Sequence, residues 1–174
     1  LCAAAAHRWR VFRWLAEPLL GVIRAIPVAV FTIVVFLWVS RRYIPSVIVF
    51  LTVLPIVWSN VAAGLDHADR GLEEMARVFG MGRWEVLRHI TLPQVRPYAA
   101  AAMATGLGFA WKSGIAAEVI CRTQGSLGDL LWGGKASVSY DEVFALTVVI
   151  VACSGLLQGA AVRLTGKERG HDPV

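Results

Sequence analysis

Four long stretches of this 174-residue sequence carry almost no charge, and clusters of charged residues separate them. The stretches cover residues 25–40, 43–65, 97–117 and 143–162. A helix needs roughly 20 apolar residues to cross a bilayer core about 30 Å thick. The second and fourth stretches meet that length, the first needs the apolar residues before Arg24, and the third crosses only if Lys112 and Glu118 avoid lipid. The pattern therefore predicts about four membrane-spanning helices.

A soluble helical bundle is the alternative explanation for these stretches. Helices at the surface of such a bundle show a polar stripe with a period of 3.6 residues. Residues 28–39 and 144–152 are apolar on all sides instead, which favours membrane spans. The composition agrees, since 57% of residues are hydrophobic, 17% are charged and the mean hydropathy is +0.62. The predicted fold class is all-α, a polytopic transmembrane helical bundle.

Basic residues are concentrated before the first span, between the second and third spans, and after the fourth. These three segments hold twelve of the seventeen Lys and Arg residues, whereas the other two connecting segments hold four. By the positive-inside rule, both ends of this chain and segment 66–97 are cytoplasmic. The net charge of +5 thus reflects topology. No nucleic-acid partner is expected, because no nucleic-acid-binding motif accompanies the charge.

Segment 66–97 is the one long polar segment, and it predicts two short helices separated by Gly80-Met81-Gly82. One apolar face recurs at i, i+3, i+4 and i+7 in the first helix: Leu72, Met75, Ala76 and Phe79. Asp69 is the candidate N-cap of this helix. Leu92-Pro93 is expected to end the second helix, because proline cannot continue the backbone hydrogen bonding.

This segment resembles the cytoplasmic signature of ABC importer permeases. In that family, Glu-Ala-Ala is followed after three residues by Gly and, after nine more, by Ile-x-Leu-Pro. The matching residues here are Glu74-Met75-Ala76, Gly80 and Ile90-Thr91-Leu92-Pro93, so Met75 replaces the first Ala. Residues 24–27, 111–120, 125–128 and 141–145 also look like the nitrate, sulfonate and taurine branch of the family.

The resemblance implies a transmembrane permease subunit of an ATP-driven importer, which forms the path for a small, anionic solute such as nitrate, a sulfonate or taurine. The residues implied in coupling to the ATPase are Glu74, Met75, Ala76, Phe79, Gly80, Ile90, Leu92 and Pro93. The implied partners are cytoplasmic ABC ATPase subunits that carry ATP and Mg, an extracytoplasmic solute-binding protein, a second permease subunit in a homodimer, and the lipid bilayer.

Lys112 and Glu118 are the candidate residues of the translocation path, because charges inside a membrane usually mark a pathway or a pair. Their separation of six residues places them on different faces of a helix, so a direct pair is not expected. Lys112 is positive and suits an anionic solute. A structural contact with another helix or subunit is the equally weighted alternative for both residues.

No catalytic or metal-binding constellation is found among the three scattered cysteines and four scattered histidines. Gly133-Gly134-Lys135 is not a phosphate-binding loop, because Asp129 stands at the first glycine position and Ala136 follows the lysine. The chain is therefore expected to be a non-catalytic subunit that binds no metal or cofactor of its own. ATP hydrolysis is left to partner subunits.

The predicted organisation is a cytoplasmic or interfacial segment at 1–20, a permease domain at 21–163 with the coupling loop at 66–97, and a cytoplasmic tail at 164–174. The predicted location is the inner cell membrane. Such permeases have about two more N-terminal helices and Leu1 is not a natural initiator, so we expect a fragment. An ATP-independent secondary carrier or channel is the alternative function, although only Lys112 and Glu118 place ionisable groups inside the spans. A membrane-embedded enzyme is disfavoured by the missing catalytic cluster.

Overall fold

The computed structural model describes residues 10–166, and within them the chain forms helices and no strand. The α-helices are α1 Arg10–Ala25, α2 Val28–Phe36, α3 Ile44–Asp66, α4 Arg70–Val78, α5 Arg83–Val86, α6 Leu92–Cys121, α7 Leu127–Ala136 and α8 Tyr140–Gly166. A 3-10 turn over Arg41–Tyr43 precedes α3, and a π-helical turn over Leu87–Thr91 joins α5 to α6. The all-α class is confirmed. Parts of the predicted segments 1–20 and 164–174 lie outside the described residues.

Two described helices are long and apolar enough to cross a membrane, Arg41–Asp66 and Tyr140–Arg163. They correspond to the second and fourth predicted spans. The first predicted span is not one straight helix, since α1 and α2 meet at an angle of 100° and together count as at most one broken span. The break lies at Pro27, whose ring keeps the preceding residue out of helical conformation and which has no N–H to donate.

The third predicted span is α6, which has 30 residues and is about 45 Å long at 1.5 Å per residue. Its length suffices for a bilayer, but it is less apolar than the spanning parts of α3 and α8, because Lys112 and Glu118 interrupt it and because it has more Ala and Gly and fewer Val, Ile and Leu. Length and composition therefore identify two spans among residues 10–166, or three with the bent pair. The predicted number of about four is higher than this count.

The core of the described part lies between α3 and α6, which pack together along most of their lengths. Short side chains of α6 are buried at this contact: Ala102, Gly106, Ser113, Ala117 and Cys121. Near the end of α6, Ile44 and Ile48 of α3 are buried against Ala117 and Cys121. Small residues let two membrane helices approach closely, so that van der Waals packing holds them together without a hydrophobic driving force.

The ends of α3 and α6 that adjoin segment 66–97 are joined by equally close packing. An added Cβ at Gly64 would lie only 2.9 Å from the ring of Tyr98, so no larger residue fits there without displacing that ring. The Tyr98 ring also stacks on His67, with 5.8 Å between the ring centroids. These contacts fix the two points from which the loop of α4 and α5 projects.

Candidate functional site

The first turn of α4 is capped as the sequence predicts. Asp69 precedes the helix in extended conformation, and its carboxylate accepts a hydrogen bond from the backbone N–H of Gly71 at 2.8 Å. This bond satisfies one of the four N–H groups that every helix leaves without an internal partner. Glu73 lies in the same turn, where a negative charge favours the positive end of the helix.

The last turn of α4 depends on Gly80. The N–H of Met81 donates to the carbonyl of Ala76 at 3.0 Å, and the N–H of Gly80 donates to the carbonyl of Arg77 at 3.0 Å. This pair of bonds is the Schellman ending of a helix, which requires a left-handed residue at the position of Gly80. The φ angle of Gly80 is +78°, a conformation that glycine adopts without the steric cost other residues incur.

The outer side of the loop presents large apolar side chains to the surroundings. Val78, Phe79 and Trp84 are 85%, 79% and 71% exposed, and Leu72 and Met75 are 41% and 51% exposed. Sequence reasoning placed Leu72, Met75 and Phe79 on this face but did not include Val78. The sequence could have identified Val78 as a member of this surface, because it directly precedes Phe79 where the helix ends.

Ala76 does not share this outer surface, although the helical period puts it on the same face as Met75. It is only 3% exposed and is therefore covered by other parts of the chain, and α4 packs against α5 and the π turn. Glu74 is exposed, and within the described part of the chain its carboxylate has no hydrogen bond or ion pair. Among the predicted coupling residues from Glu74 to Phe79, Ala76 thus faces inward and the other side chains face outward, whereas Ile90 is half-buried.

The segment Ile90-Thr91-Leu92-Pro93 does not end a helix, and that expectation was wrong. The helix continues from Arg83 through a π-helical turn and through Pro93 to Cys121. In the π turn, the N–H of Leu92 donates to the carbonyl of Leu87, five residues earlier. Pro93 has no N–H to donate and its ring crowds the preceding turn, so a widened turn directly before it lets the helix proceed.

A set of hydrogen bonds that the sequence did not reveal ties α4 to this widened turn. The hydroxyl of Thr91 donates to Glu73 Oε1 at 2.9 Å, and the backbone N–H of Asp69 donates to Gln94 Oε1 at 2.7 Å. Gln94 Nε2 in turn donates to the carbonyl of Ile90 at 3.1 Å. No spacing rule finds these partners, because they are 18 and 25 residues apart.

The two candidate residues of the translocation path are in different surroundings. Lys112 is exposed on α6. Glu118 lies near the C-terminal end of α6, and its carboxylate accepts a hydrogen bond from the backbone N–H of Gly128 at 3.1 Å, in the first turn of α7. A carboxylate at a helix N-terminus is stabilised by the free N–H groups there. No ion pair joins Lys112 to Glu118.

Sequence reasoning also missed a cleft between α1 and α3, with a volume of about 350 Å³, whose lining includes both charged and apolar residues. At one end, Arg13 forms ion pairs with Glu17 at 2.7 Å and Asp66 at 2.8 Å. Toward the other end, Arg24 Nη2 donates to the carbonyl of Pro55 at 2.6 Å. Residues 10–166 contain no group of His, Cys, Asp and Glu side chains arranged to hold a metal ion.

Comparison with known proteins finds one family along nearly the whole chain. The family model for binding-protein-dependent transport system inner membrane components matches residues 1–165. The chain is 29% identical over 163 residues to the riboflavin transport system permease protein RibX of Chloroflexus aurantiacus, covering 87% of this chain and 60% of RibX.

Two further relatives are named for the transport of anions, one for an inorganic anion and the other for organic anions. The nitrate import permease protein NrtB of Synechococcus elongatus is 25% identical over 157 residues, covering 87% of this chain and 55% of NrtB. The putative aliphatic sulfonates transport permease protein SsuC of Escherichia coli is 27% identical over 156 residues, covering 87% of this chain and 59% of SsuC. The chain therefore spans little more than half the length of these curated relatives.

Proposed function

Since the chain belongs to the family of binding-protein-dependent transport system inner membrane components, the permeases of ABC importers, we propose that it couples solute passage to ATP hydrolysis through α4. The observation that carries this proposal is the apolar outer surface of α4 and the turn after it. Large apolar side chains gathered on one exposed surface mark a contact with another molecule. The basic residues of segment 66–97 favour a cytoplasmic position for it, where the ATPase subunits act.

Binding of this surface to the membrane is the competing explanation. Helices that lie on a membrane carry Lys and Arg on their polar side, which attracts them to anionic lipids. Helix α4 instead carries as many acidic as basic residues, Glu73 and Glu74 against Arg70 and Arg77, so its polar side has no excess of positive charge. An exposed carboxylate at Glu74 is repelled by an anionic lipid surface, whereas a basic residue at the rim of a protein groove would pair with it.

The proposed assembly contains two permease subunits, two cytoplasmic ATPase subunits that hold ATP and Mg, and an extracytoplasmic solute-binding protein. Closure of the ATPases on ATP would displace α4. Because α5, the π turn and α6 form one continuous helix from Arg83 to Cys121, a displacement at α4 reaches the membrane through a rigid element. Such rigid-body movement of helices is a common way to switch access to a transport path.

The proposed solute is a small anion, and Lys112 is the proposed contact for it. Lys112 is exposed on α6, whereas the carboxylate of Glu118 is already engaged by Gly128 in the first turn of α7. An exposed cation on a membrane helix is expected to face a partner subunit or a water-filled path rather than lipid. The names of NrtB and SsuC agree with an anion, and the name of RibX shows that the family also includes a permease for a different solute.

A mild-detergent purification of the full-length protein from its own membranes tests the proposal, with partners identified by mass spectrometry. Recovery of an ATPase with a phosphate-binding loop, together with a solute-binding protein, is the expected result. The compound carried by that binding protein then identifies the solute. Recovery of the permease alone, under conditions that keep a control importer intact, would favour an ATP-independent carrier or channel instead.

A further inference from the structure

The inner side of α4 is held by residues that the family signature leaves unspecified. Thr91 occupies the variable position in Ile-x-Leu-Pro, Glu73 precedes the signature and Gln94 follows it. Thr91 is only 8% exposed and its hydroxyl donates to the Glu73 carboxylate at 2.9 Å. Hydrogen bonds to an ionised acceptor are about twice as strong as neutral ones, so this bond is a substantial link between α4 and the π turn.

Gln94 supplies a second link, at the other end of the same contact. Its carbonyl oxygen accepts from the backbone N–H of Asp69 at 2.7 Å, and its amide nitrogen donates to the carbonyl of Ile90 at 3.1 Å. Both ends of the amide are thus occupied. The side chain connects the N-cap of α4 directly to the backbone of the widened turn.

The two hydrogen-bonded links lie about one helical turn apart. Asp69 and Glu73 are one turn apart on α4, and Thr91 and Gln94 are one turn apart across the junction of the π turn with α6. Two attachments one turn apart oppose both rotation and sliding of α4 against its neighbour. Without them α4 would be a nine-residue helix in which Ala76 is the only buried residue among the described side chains, and isolated helices of that length are only marginally stable.

We propose that Thr91 and Gln94 are positioning residues of the importer, which transmit displacement of α4 to α6 by locking Glu73 and Asp69 to the π turn. This inference rests on the proposed function, because it assumes that an ATPase acts on the outer surface of α4. In the absence of the two links, an ATPase would still bind that surface, but α4 would move without carrying α6 along.

The test uses the full complex in lipid nanodiscs and hydrogen–deuterium exchange, with ATP plus vanadate to trap the closed ATPase, so that no solute is required. In the wild type, trapping is expected to change exchange in both segment 70–78 and segment 97–121. In Thr91→Val, which keeps the shape but removes the hydroxyl, the response of 70–78 should remain and that of 97–121 should be lost, because the bond from the π turn to Glu73 is gone. Thr91→Ser restores the hydroxyl and should restore the response.

Two further variants separate a positioning role from a general loss of stability. Thr147→Val is the matched control, because the Thr147 hydroxyl donates to the Val143 carbonyl of its own helix at 2.7 Å, and it should respond like the wild type. Gln94→Leu removes the second link and should lose the response of 97–121 even if Thr91→Val fails to assemble.

The outcomes distinguish this inference from the proposed function. If the wild-type complex contains no ATPase, the proposed function fails and the inference falls with it. If the wild type responds in both segments and Thr91→Val and Gln94→Leu respond equally well, the proposed function stands and the positioning role is refuted. An equal loss in Thr91→Ser and Thr91→Val would also refute it, because the hydroxyl would then not be the cause.

Discussion

Substitutions of Gly80 test the last turn of α4 and separate the effect of backbone conformation from the effect of side-chain size. Its φ angle is +78°, and a Cβ added there would meet no atom within 4 Å. Replacement by alanine therefore introduces no clash, and its cost is that of holding an L residue in left-handed conformation, about 1–2 kcal/mol. Asparagine is larger but visits this conformation more readily, so Gly80→Asn is expected to be milder than Gly80→Ala.

The expected consequence is a change in coupling. A cost of about 1–2 kcal/mol lowers the population of the native turn roughly 5- to 30-fold relative to its alternatives. The alternatives break the bond from Met81 to Ala76 and misplace Trp84 relative to α4. Because the turn lies outside the spanning helices, the amount of inserted protein should not change, while the solute moved per ATP hydrolysed should fall in Gly80→Ala.

The assay is transport by the full complex in proteoliposomes, with ATP hydrolysis measured in parallel and the inserted protein quantified by immunoblot. The solute is the compound recovered with the binding protein. Gly133→Ala is the matched control, since Gly133 lies in α7 without a left-handed φ and also has open space around it. Normal coupling in Gly80→Ala would refute the reasoning. A greater loss of coupling in Gly80→Asn than in Gly80→Ala would also refute it, because the size of the side chain rather than the backbone conformation would then determine coupling.

Three further predictions concern the outer surface, the first turn of α7 and the proposed solute contact. Phe79→Ser should reduce the ATPase recovered with the complex, whereas Phe144→Ser on the exposed side of α8 should not; equal recovery in both would argue against the proposed surface. Gly128→Ala should lower the melting temperature of the purified complex, because its Cβ would lie 2.4 Å from that of Glu118 and overpacking of this kind costs about 1–3 kcal/mol; an unchanged melting temperature would contradict this packing. Lys112→Gln should raise the KM for a small anion about tenfold and leave the KM for a neutral solute unchanged. An unaltered KM for the anion would exclude the contact.

Local chemistry makes parts of the loop predictable from sequence. Asp69 before an amphipathic helical pattern predicts the cap, and Gly80 between two helical patterns predicts the turn, because each depends only on neighbouring backbone atoms. The break at Pro27 follows from equally local rules, but the long apolar run around it favoured a single span. Periodicity and hydropathy alone do not show whether one proline breaks a long apolar run into two helices.

The features that sequence reasoning missed depend on residues distant in the chain. Pro93 predicts a helix end when judged alone, yet the π turn before it lets the helix continue. Thr91 and Gln94 resemble ordinary polar residues until α4 folds back beside them. Glu118 suggests a pore charge by position, whereas its contact with Gly128 becomes evident only once α7 is placed.

The structure explains which part of the family signature varies in this chain. The signature asks for two alanines, and here Met75 replaces the first while Ala76 retains the second. Met75 is 51% exposed and has room for a longer side chain, whereas Ala76 is 3% exposed and has none. Gly80 and Pro93 both match the signature, and both determine the backbone conformation. Gly80 lies at a left-handed turn, and Pro93 lies directly after the π turn. The positions that set the backbone path of the loop are thus retained, and the departure falls on the exposed outer surface, which contacts the ATPase in the proposed assembly.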